Sequence, residues 1–412
     1  MTLHPAVAAA LAPLQERFWQ IDRQTHDHLQ RVLKAFADHR VSVPHFAGTT
    51  GYGHDDLGRE VLDKVFAQIV GAPAAIVRSQ IVSGTHAIAC ALYGVLRPGE
   101  ELLAVAGAPY DTLEPVLGLR SAGEGSLRDF GVTYRQLELT PAGAIDWEAL
   151  ATAIQPQTKA VLIQRSRGYA WRPSLTIADI ARIVTTVKAQ NPEVICFVDN
   201  CYGEFVEAQE PTAVGADLMA GSLIKNPGGT LAPYGGYVAG RADLVAAAAN
   251  RLTAPGIGLH GGASENRRLY FQGLFLAPQM VGETLKGLIL AAQFFAERGY
   301  AVQPGPWDVR SDTIQALRLG SGAKLQAFCR QIQRCSPVDA FVNPVPAVTP
   351  GYDSPLVMAG GTFVDGSTAE LSADGPLREP YTVYCQGGTH WTHMALVLAA
   401  FAENDPETPM VN

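Results

Sequence analysis

Charge is scarce in this chain. Asp, Glu, Lys and Arg make up only 17% of the 412 residues, and no Lys/Arg-rich run stands out. The balance is 31 − 39 = −8, so nucleic acid and anionic membranes are excluded as expected partners. Cysteine is equally thin. Cys90, Cys196, Cys201, Cys329, Cys335 and Cys385 form no C-x-x-C pair, which excludes a disulfide scaffold and fits reduced thiols in a cytoplasmic protein. The N-terminal "AVAAALAPL" has no basic stretch before it and runs into helical spacing, so it reads as an amphipathic helix and not a signal peptide. The apolar "GLILAAQFFAERGY" reads as too short to span a bilayer before charge arrives. Neither an internal repeat nor a low-complexity tract is present.

Apolar residues are abundant at 47%, enough for a large core and a second smaller one. After the Gly-rich "PHFAGTTGYGHDDLGRE" come strand-like runs, "AAIVR", "ELLAVA", "VTYRQLEL", "KAVLIQ" and "VICFVDN". They alternate with helical patterns starting near Asp56, Thr85, Asp146 and Thr176. That alternation predicts a mostly parallel sheet covered on both faces, with ligands at the carboxyl ends of its strands. A helical pattern from Asn266 to about Ala296 leads to short strands "TIQALRLG", "LVMAGG" and "YTVYCQG" and to helices near Ala323 and His390. The expected organisation is an N-terminal helical arm over residues 1–50, a large domain over 51–290 and a small C-terminal α/β domain over 291–412.

Three strand ends carry unusual chemistry. Ser83, Gly84 and Thr85 stand at a turn into a helix, where free amides beside hydroxyls can cradle a phosphate or simply cap the helix. Asp199 ends an apolar run; it either caps the next turn or pairs with a protonated ring nitrogen. Lys225 lies in "GADLMAGSLIKNPGG", three residues after Ser222. Its amine either snorkels to water or is desolvated, with its pKa pushed down, as a nucleophile toward a carbonyl. "SLIK" matches S-x-x-K, but neither S-D-N nor K-T-G follows it, and "GIGLHG" lacks the preceding strand of a dinucleotide site. A phosphate cradle, a strand-tip aspartate and a strand-end lysine are the three anchors of pyridoxal 5′-phosphate. Tyr110 in "GAPYDTLEP" is a fourth element, able to stack on the ring.

The order S-G-T, P-Y, V-D-N, S-x-x-K resembles fold type I pyridoxal-phosphate enzymes of the Cys/Met-metabolism group. The blocks "GYGHDDLGRE", "RSQIVSGTHA", "VDNCYGEFVE", "GSLIKNPGGTLAPYGGYVAG", "LFLAPQMVGE" and "GTFVDGSTAELSADGPLREPYTVYCQGG" resemble the methionine γ-lyase-like, aluminium-resistance group. The resemblance implies a carbon–sulfur lyase working by β- or γ-elimination on a small amino acid. Other amino-acid chemistry on the same cofactor, transamination or retro-aldol cleavage, is the alternative, with a cofactor-binding sensor as a further one.

It further implies a homodimer or homotetramer, Lys225 as the Schiff-base lysine and Asp199 as the ring-nitrogen partner. Ser222 with Gly84 and Thr85 would hold the phosphate, and Tyr110 would be the stacking ring. Tyr52 or Arg59 would reach a neighbour's cofactor. Arg378, from the small domain, is expected to clamp the substrate α-carboxylate, with Arg167 or Arg172 next in line. Two positions depart from the group: Ile224 stands where threonine commonly precedes the lysine, and His54 stands where tyrosine is expected. No metal is expected; His390 and His393 read as capping or packing residues.

Overall fold

The computed structural model describes residues 3–120, 124–265, 267–348 and 354–404. The first sheet comprises β1 (Ala74–Arg78), β2 (Glu101–Ala104), β3 (Thr133–Gln136), β4 (Thr158–Gln164), β5 (Ile195–Asp199), β6 (Leu218–Ser222) and β7 (Gly236–Gly240). Its order is β1-β7-β6-β5-β4-β2-β3. β2 to β6 run parallel, and β7 is antiparallel to both its neighbours. β4 to β7 are buried almost throughout, which is why their sequences read as continuous apolar runs and not as alternations. The second sheet holds β8 (Ala301–Gln303), β9 (Ile314–Arg318), β10 (Leu356–Ala359), β11 (Ser372–Pro376) and β12 (Thr382–Gln386), all antiparallel in the order β10-β11-β12-β9-β8.

Local chemistry sets the helix starts. Asp56 accepts from the Arg59 amide at 3.0 Å to begin Leu57–Val70, which ends on Gly71 in the left-handed region. Thr176 and Asp179 form a reciprocal capping box on Ile177–Gln190. Ser83 accepts from His86 N at 3.0 Å and starts Gly84–Val95. The helix expected from Asp146 is a single turn, Trp147–Leu150.

The long helix is Arg268–Ala296, and the Asn266 at which its pattern was expected to begin lies outside the described residues. This helix is long and apolar enough to cross a membrane, which corrects the shorter span read from "GLILAAQFFAERGY". It is instead mostly buried within the protein core, packed against the N-terminal helix Gln15–Asp38 and the C-terminal helix Trp391–Asn404. The expected small-domain strands appear as β9, β10 and β12. β8 and β11 had not been expected: β8 is three residues long, and β11, "SADGP", carries the Gly and Pro that ordinarily signal a turn.

Candidate active site

Lys225 does not lie on a strand. β6 ends at Ser222, and Lys225 directly precedes the short 3-10 turn Asn226–Gly228. The turn carries its side chain into the interior, where Nζ sits 3.7 Å from the centroid of the Tyr202 ring and hydrogen-bonds with that residue. Of the two expectations for this amine, a lowered pKa is the one its surroundings oppose. Burial by itself disfavours the ammonium, but Cys201, Tyr202 and Asp199 outweigh it and hold the pKa above the ordinary lysine value. Burial pushes the Cys201 thiol and the Tyr202 phenol up, and it raises the Asp199 carboxyl as well. An uncompensated ammonium there would be costly; the cation–π contact and the carboxylate together make it tolerable.

Asp199, buried at the tip of β5, has its carboxyl raised by burial, opposed by Lys225 and by hydrogen bonds from Cys201. The Cys201 amide donates to Oδ1 at 3.1 Å. Asp199 therefore caps its own turn, the first reading of the strand tip, and also faces the lysine. Gly84 comes up against the same place: a Cβ there would lie 3.1 Å from Cys201 Sγ and 3.3 Å from Ser222 Cβ. The space over Gly84 is closed by two residues of the site, and the glycine lets the helix start approach them. The amides of Gly84 and Thr85 and the hydroxyl of Ser222 have no protein hydrogen-bond partner among the described residues. Open donors at a helix N-terminus, beside a buried lysine and a buried carboxylate, fit the phosphate, aldehyde and ring nitrogen of pyridoxal 5′-phosphate. The Ser83 hydroxyl accepts the helix-capping bond beside them.

Tyr110 stands beside the cradle. Its hydroxyl is 3.0 Å from Thr85 Oγ1, its amide donates to Gln164 Oε1 at 2.8 Å, and burial drives its phenol far above the usual range, keeping it neutral. Tyr202 went unnoticed in the sequence. It packs with Tyr169, Trp171, Ile314, Ala316 and Tyr384, an aromatic wall built from the loop after β4, the turn after β5 and one face of the second sheet. Tyr169 and Tyr384 are 5.3 Å apart between ring centroids, and Tyr384 OH donates to Tyr169 O at 2.6 Å. Asp374 of β11 lies on this face too. It accepts from Tyr169 OH at 3.0 Å, and burial lifts its carboxyl to about 6.

The candidate arginines sort clearly. Arg378 is exposed on the hairpin between β11 and β12, and no contact joins it to Lys225 among the described residues. The end of the second sheet that meets the lysine turn is the opposite one, where Thr313, next to Ile314 of β9, bonds to Asn226. Arg172 is spent on the carbonyls of Gln164, Ser166 and Pro173, and Arg167 donates to Gln303 O at 2.9 Å beside Asp312. Arg318 is different. It too lies at the hairpin end, opposite Thr382, but strand alternation puts it on the same face of β9 as Ala316 and Ile314. Its guanidinium lies 3.9 Å over the Trp171 ring and has no hydrogen-bond or ion-pair partner among the described residues. No local signal marks it, because "QALRLG" reads as an ordinary strand.

Arg59 is buried and donates to Gly53 O at 2.6 Å, Gly262 O at 3.1 Å and His260 O at 3.2 Å. It ties two Gly-rich loops of its own chain together. Tyr52 is 82% exposed, with its ring 5.7 Å from that of His54. His390 turns to Thr392 and Glu283, and His393 to Cys335 O; the two imidazoles serve separate structural contacts.

A family model for methionine gamma-lyase matches residues 4–405. The chain is 50% identical over 378 residues to YnbB, an uncharacterized protein of Bacillus subtilis, covering 91% of this chain and 90% of that one. A carbon-sulfur lyase involved in aluminum resistance from Clostridium novyi superposes with a TM-score of 0.92 at 43% identity, covering 97% of this chain and 94% of that one. The pyridoxal-5′-phosphate dependent protein YhfS of Escherichia coli shares the fold at a TM-score of 0.62 and 18% identity, over 94% of this chain and 97% of that one. With the cradle, carboxylate and lysine assembled as the cofactor requires, the chain belongs to the methionine gamma-lyase family of pyridoxal-5′-phosphate-dependent, carbon–sulfur lyase-like enzymes of fold type I.

Proposed function

We propose that this enzyme eliminates a thiol from a small sulfur-containing amino acid, at the β- or γ-carbon, and that Arg318 rather than Arg378 anchors the substrate α-carboxylate. The observation that carries the reading is one aromatic cluster bearing Lys225 on one side, through Tyr202, and the unpartnered guanidinium of Arg318 on the other. A planar fork with one face covered by indole leaves its edge free for a carboxylate, which it binds bidentately.

Bound at Lys225, pyridoxal 5′-phosphate supplies an aldehyde for the amine and a ring that draws electrons from the substrate α-carbon. The chain does the rest. Amides of Gly84 and Thr85 with the Ser222 hydroxyl would hold the phosphate, Asp199 would hold a proton on the ring nitrogen, and Tyr110, kept neutral, would be the stacking partner of the ring. Lys225 Nζ takes the α-proton once the amine is neutral and returns it later, with Tyr202 steadying the ammonium between those events. The buried aromatic wall excludes water from this exchange.

The same reading takes the working unit to be a homodimer or homotetramer, supported by the exposure of the Tyr52 side chain, and takes the protein to be cytoplasmic, supported by six free thiols. The test is a screen of sulfur amino acids on the cofactor-loaded protein, following thiol, ammonia and keto acid. Pyruvate would report β-elimination and 2-oxobutanoate γ-elimination; amino-group transfer without thiol release would overturn the reading.

A further inference from the structure

Asn226, the residue after Lys225, is buried and uses its whole hydrogen-bonding capacity. Its Nδ2 donates to Tyr202 O and Glu204 O, each at 3.0 Å. Its Oδ1 accepts from Thr313 Oγ1 at 3.2 Å and Thr368 Oγ1 at 3.0 Å. The donor side grips the turn after β5 that presents Tyr202, the acceptor side grips Thr313 just before β9 and Thr368 in the loop before β11, and the backbone is continuous with Lys225. Tyr202 itself has φ of 72°, a conformation a bulky residue holds only when its surroundings impose it. Its carbonyl also accepts from Thr313 N at 3.1 Å, so residue 313 meets both members of this junction.

We propose that Asn226 is a positioning residue that couples the seat of the second sheet to the Lys225–Tyr202 contact, so that displacement of Thr313 and Thr368 is read out as a change in the proton affinity of the lysine. Packing alone would not require this chemistry: a side chain with two donors and a two-lone-pair acceptor is used where two pieces of backbone and two hydroxyls must be held in one arrangement. Loss of the hydroxyls leaves a buried amide oxygen unsatisfied, and the amide can then relax by turning, which releases the strained turn under the lysine. The groups facing Lys225 are Asp199, Cys201 and Tyr202, with Tyr110 from the loop after β2 and with Glu204, its carboxyl lifted to about 8 by burial, contributing from the turn after β5. Of these, Asn226 holds the backbone of Tyr202 and Glu204 directly.

The inference rests on Lys225 being the cofactor lysine, which borohydride trapping on the wild type tests by itself. The coupling is tested with Thr313→Val/Thr368→Val, which keeps volume and removes the hydroxyls, against Thr313→Ser/Thr368→Ser, which keeps the hydroxyls. Apoprotein is mixed with pyridoxal 5′-phosphate, and the rate of appearance of the visible absorption band is followed against pH. The valine pair is expected to shift the midpoint of that profile to lower pH by about half a unit or more, and the serine pair to leave it in place. Should the double valine variant fail to fold, Thr313→Val and Thr368→Val separately are expected to give smaller shifts in the same direction. An unmoved midpoint in folded valine variants overturns the proposal, as does an equal shift in the serine pair, which would assign the effect to packing.

Discussion

Tyr202→Phe separates the two ways in which Tyr202 holds Lys225. The ammonium lies 3.7 Å from the ring centroid and hydrogen-bonds with the phenol. Phenylalanine keeps the ring face and removes the hydroxyl, whose hydrogen bond to a charged group is worth about 1.5–3 kcal/mol. At 1.36 kcal/mol per pKa unit, the lysine should lose about 1–2 units of its elevated proton affinity. Tyr202→Leu also removes the cation–π attraction, about 2 kcal/mol for a desolvated site, and should lower it by about one and a half further units. A neutral amine is the nucleophile, so the apoprotein variants should capture pyridoxal 5′-phosphate faster than wild type below the wild-type midpoint, about tenfold per unit lost. Stopped-flow absorbance across a pH series measures this, with circular dichroism as the control for folding. Identical profiles for wild type and both variants would refute the claim that Tyr202 sets the charge of the lysine.

Borohydride reduction of the loaded enzyme should place the cofactor on Lys225 by peptide mass spectrometry; an adduct on another lysine would remove the site. Asp199→Asn, which cannot hold a ring-nitrogen proton electrostatically, should keep the fold and lose about two to three orders of magnitude in turnover, and near-normal kcat would move that role elsewhere. Arg318→Lys should raise KM about tenfold or more with a smaller effect on kcat, whereas Arg378→Ala should leave both near wild type; the opposite pattern would restore Arg378. His28 is buried in the N-terminal helix with its pKa lowered to about 4, by burial first and then by Arg31. The unfolded chain binds this proton more readily, so the group costs stability as pH falls through 6.5 toward 4, by about 3 kcal/mol at the acid limit. Denaturant titrations at pH 7 and pH 4.5 should show His28→Gln losing less stability over that interval than wild type, and equal losses would exclude the histidine as a cause.

Much of this enzyme was legible from the order of its residues because the relevant physics is local. Asp56, Ser83 and Thr176 announce helix starts through side chains that bond within three residues. The strands before Asp199 and Ser222 announce burial by being apolar throughout, and a lysine or aspartate directly after such a run is conspicuous against it. Lys225, Asp199, Gly84, Ser222 and Tyr110 could therefore be picked out one by one, and their resemblance to a known order supplied the cofactor. What the lysine's surroundings do to its charge was not local. Burial alone argues for a lowered pKa, and the sign reverses only because the turn after β5 folds Tyr202 and Cys201 back beside Asp199. The carboxylate anchor turned on pairing register in the same way. Arg378 looks well placed next to a strand, yet it stands exposed on the hairpin between β11 and β12, while alternation along β9 turns Arg318, at the same end of the sheet, into the aromatic wall. Strand pairing joins residues tens of positions apart, and a one-residue change of register would turn each of these side chains to the other face. For that reason the sequence by itself determined the anchors and the cofactor they suit, and only the packing of one sheet against the other decided which residues surround them.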